Sequence, residues 1–202
     1  RDISVMLSPP MSRRPVIVNI AKYNFSYIKK AIHFELLRGG RVFVVDSSVE
    51  KVLFLHKKLK VAFSGYRVGF LYGSLNKQDI KNTMDSFRFG SIDILISTTI
   101  VGSGIDIPSA NSVLVLNAHL FGLSQLYQIK GRVGRGSSQG YAYFLYPSIK
   151  QITKNGKKRL YSIQKHSDLG SGYNIALSDL NIRGPGFLFG FSQAGCSVVG
   201  FE

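Results

Sequence analysis

The 202-residue chain has little cysteine and no long apolar run. Its single cysteine, Cys196, excludes an internal disulfide and is typical of a reducing compartment. No apolar stretch approaches the length of a membrane span, and we expect no secretory signal peptide. The histidines are scattered, without the spacing of metal ligands, at His33, His56, His119 and His166. These absences exclude a disulfide-stapled scaffold and a histidine-based metal site.

Acidic residues are also scarce. The chain has 11 Asp and Glu against 26 Lys and Arg, which gives a formal net charge of +15. Such an excess predicts binding to a polyanion, most simply nucleic acid. A nucleotide bias in the genome would give the same composition, so charge is one line of support for DNA binding and does not stand alone.

Two parts of a complete nucleotide-hydrolysing site are missing from the sequence. There is no Gly-x-x-x-x-Gly-Lys-Ser/Thr phosphate loop and no acidic magnesium box. We therefore expect that the chain alone does not hold and hydrolyse a nucleotide. The sequence begins at Arg1 rather than at a methionine, and we interpret it as part of a longer protein.

The apolar pattern alternates between strand-like and helix-like periods over residues 15–146. In the helix predicted over 48–59, the inward positions are Val49, Val52, Leu53, Leu55 and Leu59. The alternation predicts an α/β fold, an open parallel sheet with helices on both faces. Strands are predicted at 15–20, 41–46, 67–72, 92–97, 112–116 and 141–146, and helices at 24–38, 48–59, 76–89 and 122–130.

The character of the sequence changes after Pro147. Two helices are predicted there, at 155–166 and 171–181, followed by a glycine-rich stretch at 183–190. A hairpin and arm of this size cannot form a core of their own, so we expect them to pack on the sheet or on another part of the protein. The predicted organisation is a leading segment at 1–14, an α/β lobe at 15–150, and a helical hairpin with its arm at 151–202.

The stretch 125–135 reads Gln-Leu-Tyr-Gln-Ile-Lys-Gly-Arg-Val-Gly-Arg and carries two arginines three residues apart, Arg132 and Arg135. Two planar, permanently charged guanidinium groups suit the oxygens of a nucleotide triphosphate. The glycine before each arginine, Gly131 and Gly134, lets the backbone approach closely and turn sharply. Taken alone, the stretch is more typical of a surface helix that ends in a basic, glycine-rich loop.

A second unusual stretch, 97–108, reads Ser-Thr-Thr-Ile-Val-Gly-Ser-Gly-Ile-Asp-Ile-Pro. Thr98 and Thr99 end a predicted strand, where hydroxyl and backbone N–H groups can hold a nucleic-acid phosphate. Gly104 and Asp106 place a carboxylate on a tight turn, available to a ribose hydroxyl or to an arginine. When this stretch is considered by itself, an ordinary strand-to-helix turn is sufficient to explain it. We expect both stretches to lie beyond the carboxyl ends of the strands, where ligands of parallel sheets bind.

The two stretches together, in this order and spacing, resemble motifs V and VI of superfamily 2 helicases and translocases. Over essentially its whole length the chain is similar to the transcription-repair coupling factors. The segments 1–4, 8–10, 121–135 and 168–172 carry that likeness. The segments 158–160, 179–184 and 193–195 resemble the hairpin and arm that this family shares with RecG-type branch-migration helicases, and the Arg-Gly-Pro-Gly at 183–186 is closer to RecG.

The resemblance implies the second of two RecA-like lobes, preceded by an inter-lobe junction at 1–14. The implied activity is ATP-dependent translocation on double-stranded DNA that displaces stalled RNA polymerase and couples transcription to nucleotide excision repair. ATP and Mg2+ would be held mainly by the first lobe. Double-stranded DNA, RNA polymerase and excision-repair proteins would be the partners, in the bacterial cytoplasm or the plastid stroma. A RecG-like branch-migration lobe and a degenerate lobe that binds nucleic acid or polymerase without motor activity are the alternatives.

The resemblance also implies a role for single residues. The family usually has glutamate where Gly102 and Phe187 stand, and an acidic or polar residue where Phe191 stands, so these positions bear on coupling. The implied roles are triphosphate contact by Arg132 and Arg135; their positioning by Gln128; completion of the nucleotide cleft by Gly104 and Asp106; contact with the DNA backbone by Thr98 and Thr99; and coupling of ATP turnover to movement by Asp168, Asp179 and Arg183.

Overall fold

A computed structural model describes residues 14–98, 110–134 and 138–165. Every strand and helix predicted over 15–146 is present, with ends that differ from the predicted ones by no more than three residues. The elements are β1 (Ile17–Lys22), α1 (Phe25–Leu37), β2 (Val42–Asp46), α2 (Val49–Ala62), β3 (Val68–Leu71), α3 (Lys77–Arg88), β4 (Ile94–Thr98), β5 (Ser112–Val115), α4 (Leu123–Gly131), β6 (Tyr141–Tyr146) and α5 (Lys154–Lys165), with 3-10 turns at Ala118–Leu120 and Ile149–Gln151.

The strands form one six-stranded sheet in the order β1-β6-β5-β2-β4-β3. Every neighbouring pair is parallel, which confirms the predicted open parallel sheet. Strands β2 to β5 lie on one side of β6, and β1 lies on its other side. Helix α4 connects β5 to β6, and β6 pairs with both β5 and β1.

Side chains alternate between the two faces of the sheet, and each face is covered by helices. Along β2, Val42 and Val44 pack with α1 and α2, whereas Phe43 and Val45 pack with α3, α4 and α5. All five residues of β2 are buried, because the strand lies in the interior of the sheet with helices above and below. The continuous apolar run of this strand therefore reflects burial on both faces.

Side-chain caps define where the helices begin. Asn24 Oδ1 accepts a hydrogen bond from the Ser26 amide at 2.8 Å, and Asn76 Oδ1 accepts one from the Asp79 amide at 2.7 Å. The prediction that Val49 faces inward is wrong, since this residue is 37% exposed. It occupies the first turn of α2, beyond the carboxyl end of β2, where no strand lies beneath it.

Helix α5 packs onto the α/β lobe. Its residues Leu160 and Ile163 are buried in the same core as α3, α4 and the sheet. The helix predicted at 171–181, the arm at 183–190 and the leading segment at 1–13 lie outside the described residues, and the boundary at residue 150 stays a prediction. Within the part of the chain that the structure describes, none of the helices is long and apolar enough to span a membrane.

Candidate functional site at two edges of the sheet

The two motif stretches reach opposite edges of the sheet. Thr98 is the last residue of β4 and pairs in register with Asp46, the last residue of β2, so it lies at the carboxyl edge. Helix α4 begins beyond the carboxyl end of β5 and runs back antiparallel to the strands. Val133 then forms a parallel bridge with Ala110, two residues before β5 begins, at the amino edge. The prediction that both stretches lie beyond the carboxyl ends is therefore wrong for Arg132.

Residues 132–134, here termed the arginine turn, are held by backbone hydrogen bonds. The amides of Arg132 and Val133 donate to carbonyls in the last turn of α4, each at 3.1 Å. The amide of Gly134 donates to the carbonyl of Ala110 at 2.9 Å, which attaches the turn to the residue leading into β5. The position of the turn is thus set by both α4 and the sheet.

Only one of the two glycines in this motif is required by the backbone. Gly134 has φ +64°, and a Cβ there would lie 3.1 Å from the Gly140 Cα. Gly131 is the last residue of α4, and a Cβ added to it would meet nothing within 4 Å. The predicted sharp turn is confirmed at Gly134, whereas Gly131 serves no steric need in the described structure.

The side chains of α4 near the turn are positively charged and partly accessible. Arg132 is half-buried, and Gln128 is exposed one helical turn earlier on the same face. Lys130 is buried, with its Nζ 5.2 Å from the centre of the Tyr127 ring. The burial of Lys130 was not predicted, because a lysine beside Gly-Arg has the appearance of a surface charge.

These features fit contact with an anionic group. Arg132 is half-buried, and backbone hydrogen bonds fix the turn to which its planar group of donors is attached. The arginine turn thus offers donors that suit phosphate oxygens. Across the described ranges, no group of three His, Cys, Asp or Glu side chains could hold a metal ion.

The carboxyl edge carries a polar cluster that the sequence analysis missed. Asp46 is buried, and its Oδ1 accepts hydrogen bonds from the Ser47 amide at 2.6 Å and from Asn117 Nδ2 at 2.9 Å. These groups lie at the ends of the neighbouring strands β2 and β5. The sequence signal that could have identified this cluster is a polar residue directly after each of two buried apolar runs. Beside them is a cleft of about 220 Å³, whose lining includes Tyr23, Asp46, Lys51, Phe54, Asn117 and Pro147.

Residues 24–137 match the helicase conserved C-terminal domain. The chain belongs to this family. Its six-stranded parallel sheet is the RecA-like fold of a helicase C-terminal domain, which confirms the fold class implied by the sequence.

Relatives of this helicase C-terminal domain confirm the resemblance to transcription-repair coupling factors. The chain is 42% identical over 203 aligned residues to the transcription-repair-coupling factor of Staphylococcus aureus strain USA300, and the alignment covers 100% of the chain and 17% of the relative. The factor from Staphylococcus haemolyticus gives the same identity and coverage. The chain thus spans 17% of the length of these relatives.

Two solved structures have a similar fold. A structure of RecG bound to a three-way DNA junction superposes with a TM-score of 0.73 and 30% identity, covering 90% of this chain and 24% of RecG. The C-terminal domain of the DEAD-box protein Dbp5 superposes with a TM-score of 0.57 and 24% identity, covering 75% of this chain and 84% of that domain. The second likeness shows the fold alone.

The helicase C-terminal domain brings together some of the predicted site residues and separates others. Gln128 and Arg132 lie one turn apart at the amino edge, and Thr98 lies at the carboxyl edge. The roles assigned to them stay predictions. The remaining predicted site residues lie outside the described residues: Thr99, Gly104, Asp106, Arg135, Asp168, Asp179 and Arg183.

His119 lies near the carboxyl edge, in the 3-10 turn that follows β5. Burial lowers its pKa below the ordinary 6.5, and the positive charges of Arg159 and Lys51 lower it further. Its Nδ1 is buried without a hydrogen-bond partner among the described residues. Because the folded state disfavours the protonated ring, His119 contributes stability above pH 6.5 that is lost as the pH falls below that value.

Replacing His119 with glutamine is expected to flatten this pH dependence. We expect the wild-type free energy of unfolding to fall more steeply than that of His119→Gln between about pH 7 and about pH 5, because only the wild type must protonate this ring on unfolding. Urea unfolding at several pH values measures the difference. His33→Gln, on the exposed side of α1, is the matched control and should keep the wild-type slope. Parallel curves for wild type and His119→Gln would contradict the assignment.

Proposed function

We propose that this chain is the second RecA-like lobe of an ATP-dependent double-stranded DNA translocase, one that displaces stalled RNA polymerase and couples transcription to nucleotide excision repair. The observation that carries the proposal is the arginine turn, held against the sheet by the Gly134–Ala110 hydrogen bond of 2.9 Å in a helicase C-terminal domain. The 42% identity to transcription-repair-coupling factors supports the choice of translocase within that family.

In this proposal the amino edge faces the nucleotide. Bound ATP supplies the phosphoryl transfer that drives movement, and it is held with Mg2+ mainly by the first lobe. Arg132, together with Arg135, neutralises negative charge that develops on the transferring phosphate. Gln128 helps to position Arg132 from the preceding turn of α4, and the segment with Gly104 and Asp106 completes the cleft.

The carboxyl edge faces the DNA backbone in this proposal. Thr98 and Thr99 end β4 there, and the N-termini of α2 and α3 open towards the same edge, capped by Ser48 and Asn76. Helix N-termini and threonine hydroxyls suit phosphate oxygens. The net charge of +15 favours a polyanion in general. RNA polymerase and excision-repair proteins would be contacted through parts of the protein beyond this chain, in the bacterial cytoplasm.

The hairpin and arm would transmit movement. Helix α5 packs against α4, whose end carries the arginine turn. A shift of α4 would therefore be passed to α5 by direct contact. We propose that Asp168, Asp179 and Arg183 extend this path to an arm that grips duplex DNA.

The test uses the full-length protein that contains this lobe. We expect ATP hydrolysis to be stimulated by duplex DNA, and the same preparation to displace a triplex-forming strand and a stalled RNA polymerase in an ATP-dependent way. Hydrolysis without either displacement would contradict a translocase role. The absence of duplex-stimulated hydrolysis would instead favour a degenerate lobe that only binds.

A RecG-like branch-migration activity is the second candidate. The superposition with RecG bound to a three-way DNA junction, at 30% identity, favours it. Synthetic replication forks and stalled transcription complexes, offered separately to the full-length protein, distinguish the two. Regression of forks without release of polymerase would select the RecG-like function.

A further inference from the structure

The side chain of Gln139 joins the start of the lobe to the strand that follows the arginine turn. Its Nε2 donates to the carbonyl of Pro15 at 2.5 Å and to the carbonyl of Gly140 at 3.2 Å. Pro15 lies two residues before β1, and the amide of Ile17 also donates to the Gly140 carbonyl, at 3.0 Å. Residues 124 positions apart in the chain are thereby fixed to each other at the amino edge.

Gly140 in turn lies directly against the arginine turn. A Cβ added to Gly140 would lie 3.0 Å from the Gly134 Cα and 3.0 Å from the Val133 Cγ1. Backbone therefore rests on backbone at this point, with no side chain between them that could absorb a displacement. A shift of residue 140 would be passed to the turn that carries Arg132.

A second contact holds Gln139 from α1. Arg38 Nη2 donates to the Gln139 carbonyl at 2.9 Å. The Arg38 guanidinium lies over the ring of Tyr141, 5.1 Å from its centre, and pairs with Glu35 at 3.4 Å. Glu35 is fully buried and accepts a 2.5 Å hydrogen bond from Ser112 Oγ, at the first residue of β5. Gln139 is thus fixed through its backbone by α1 and through its side chain by the residues leading into β1.

We propose that Gln139 is a positioning residue, which holds the arginine turn in register with the point where the chain enters the lobe. The inference rests on the proposed nucleotide contact of Arg132. Gln139 acts through Gly140 and Gly134 and needs no contact with the nucleotide. A displacement of the segment before Pro15 would therefore reach Arg132 by way of two glycines in contact.

Gln139→Glu in the full-length protein is the main test variant. The carboxylate keeps the shape of the amide but replaces its donor with an acceptor that faces two carbonyl oxygens. We expect kcat for duplex-stimulated ATP hydrolysis to fall by about tenfold or more and KM for ATP to rise, since small misplacements of a catalytic group have effects of this order. DNA affinity should stay at its wild-type value, and the thermal unfolding temperature, although lowered by the loss of the two hydrogen bonds, should remain above the assay temperature so that the variant is folded during the measurement.

The matched control is Asn82→Asp on the exposed side of α3, in the middle of that helix. Asn82 Oδ1 accepts a 2.8 Å hydrogen bond from Gln78 Nε2, and the substitution makes the same change from amide to carboxylate away from both the arginine turn and the N-terminus of α3. We expect kcat and KM to remain at the wild-type values. Gln139→Met, which removes the donor without adding charge, should behave like Gln139→Glu and separates loss of the hydrogen bonds from repulsion.

A double-variant comparison distinguishes positioning from a general structural defect. Arg132→Lys keeps a positive charge but loses the planar guanidinium whose placement Gln139 is proposed to control. If Gln139 acts through Arg132, Gln139→Glu should cost a smaller factor in the Arg132→Lys background than in wild type. The same factor in both backgrounds, or an unchanged kcat in Gln139→Glu and Gln139→Met, would overturn the proposal. Absence of duplex-stimulated hydrolysis in the wild type would contradict the proposed function itself, before any variant is compared.

Discussion

Replacing Arg132 with alanine is expected to lower duplex-stimulated ATP hydrolysis by about 10³-fold or more, the effect typical of arginine fingers in phosphoryl-transfer enzymes. Arg132 is half-buried at the end of α4, on a turn that Gly134 fixes to the sheet. In the proposed role of Arg132, its removal leaves negative charge on the transferring phosphate without a partner. The measurement is the steady-state hydrolysis rate of the full-length protein at saturating duplex DNA.

The control for this loss is Arg88→Ala. Arg88 ends α3, which packs on the same face of the sheet as α4, and among the described residues its side chain forms an exposed ion pair with Asp85 at 3.4 Å. The Arg88→Ala substitution therefore removes an equal charge at the end of another helix, and we expect hydrolysis to continue at the wild-type rate. Equal losses in both variants would show that net charge matters and would remove Arg132 from the nucleotide site.

Replacing Ile163 with alanine is expected to lower the free energy of unfolding by about 2–5 kcal/mol, the range for truncating a buried aliphatic side chain. Ile163 is fully buried where α5 meets the core of the lobe. The variant would leave a cavity beneath the helix that starts the proposed hairpin. Urea or thermal unfolding of the purified chain measures the loss.

Tyr161 provides the matched control on the same helix. It is 66% exposed, so Tyr161→Ala should change the free energy of unfolding by no more than about 0.5 kcal/mol. A small effect in both variants would mean that α5 contributes little to the stability of the lobe. In that case the direct path from α4 to the hairpin would have to be abandoned.

Most of the fold could be predicted because the periodicity of the sequence matches burial. The Val-Phe-Val-Val run of β2 is apolar throughout, since both of its faces are covered. On α1, Glu35 interrupts the apolar pattern and is nevertheless buried, because Ser112 and Arg38 supply hydrogen bonds to its carboxylate. The prediction that Val49 is buried was wrong because periodicity identifies the inward face of a helix but does not show where the sheet beneath the helix ends.

The candidate site was less predictable because its geometry depends on the path of α4. Spacing along the chain placed Arg132 after a strand and before another, but it did not show that α4 carries the arginine back to the amino edge. The Asp46–Asn117 contact joins the ends of two strands, and the Gln139–Pro15 contact joins residues 124 positions apart. Contacts of this kind depend on strand order, which local patterns do not contain.

The placement of Thr98 and Arg132 at opposite edges of one sheet bears on how such lobes diverge. Because the two surfaces share no side chain among the described residues, substitutions that accumulate at the carboxyl edge leave the backbone contacts of the arginine turn in place. Selection can therefore act on each edge separately. With the roles proposed for the two edges, a lineage could acquire a new nucleic-acid preference through changes around Thr98 and Asn117 while inheriting its turnover chemistry unaltered.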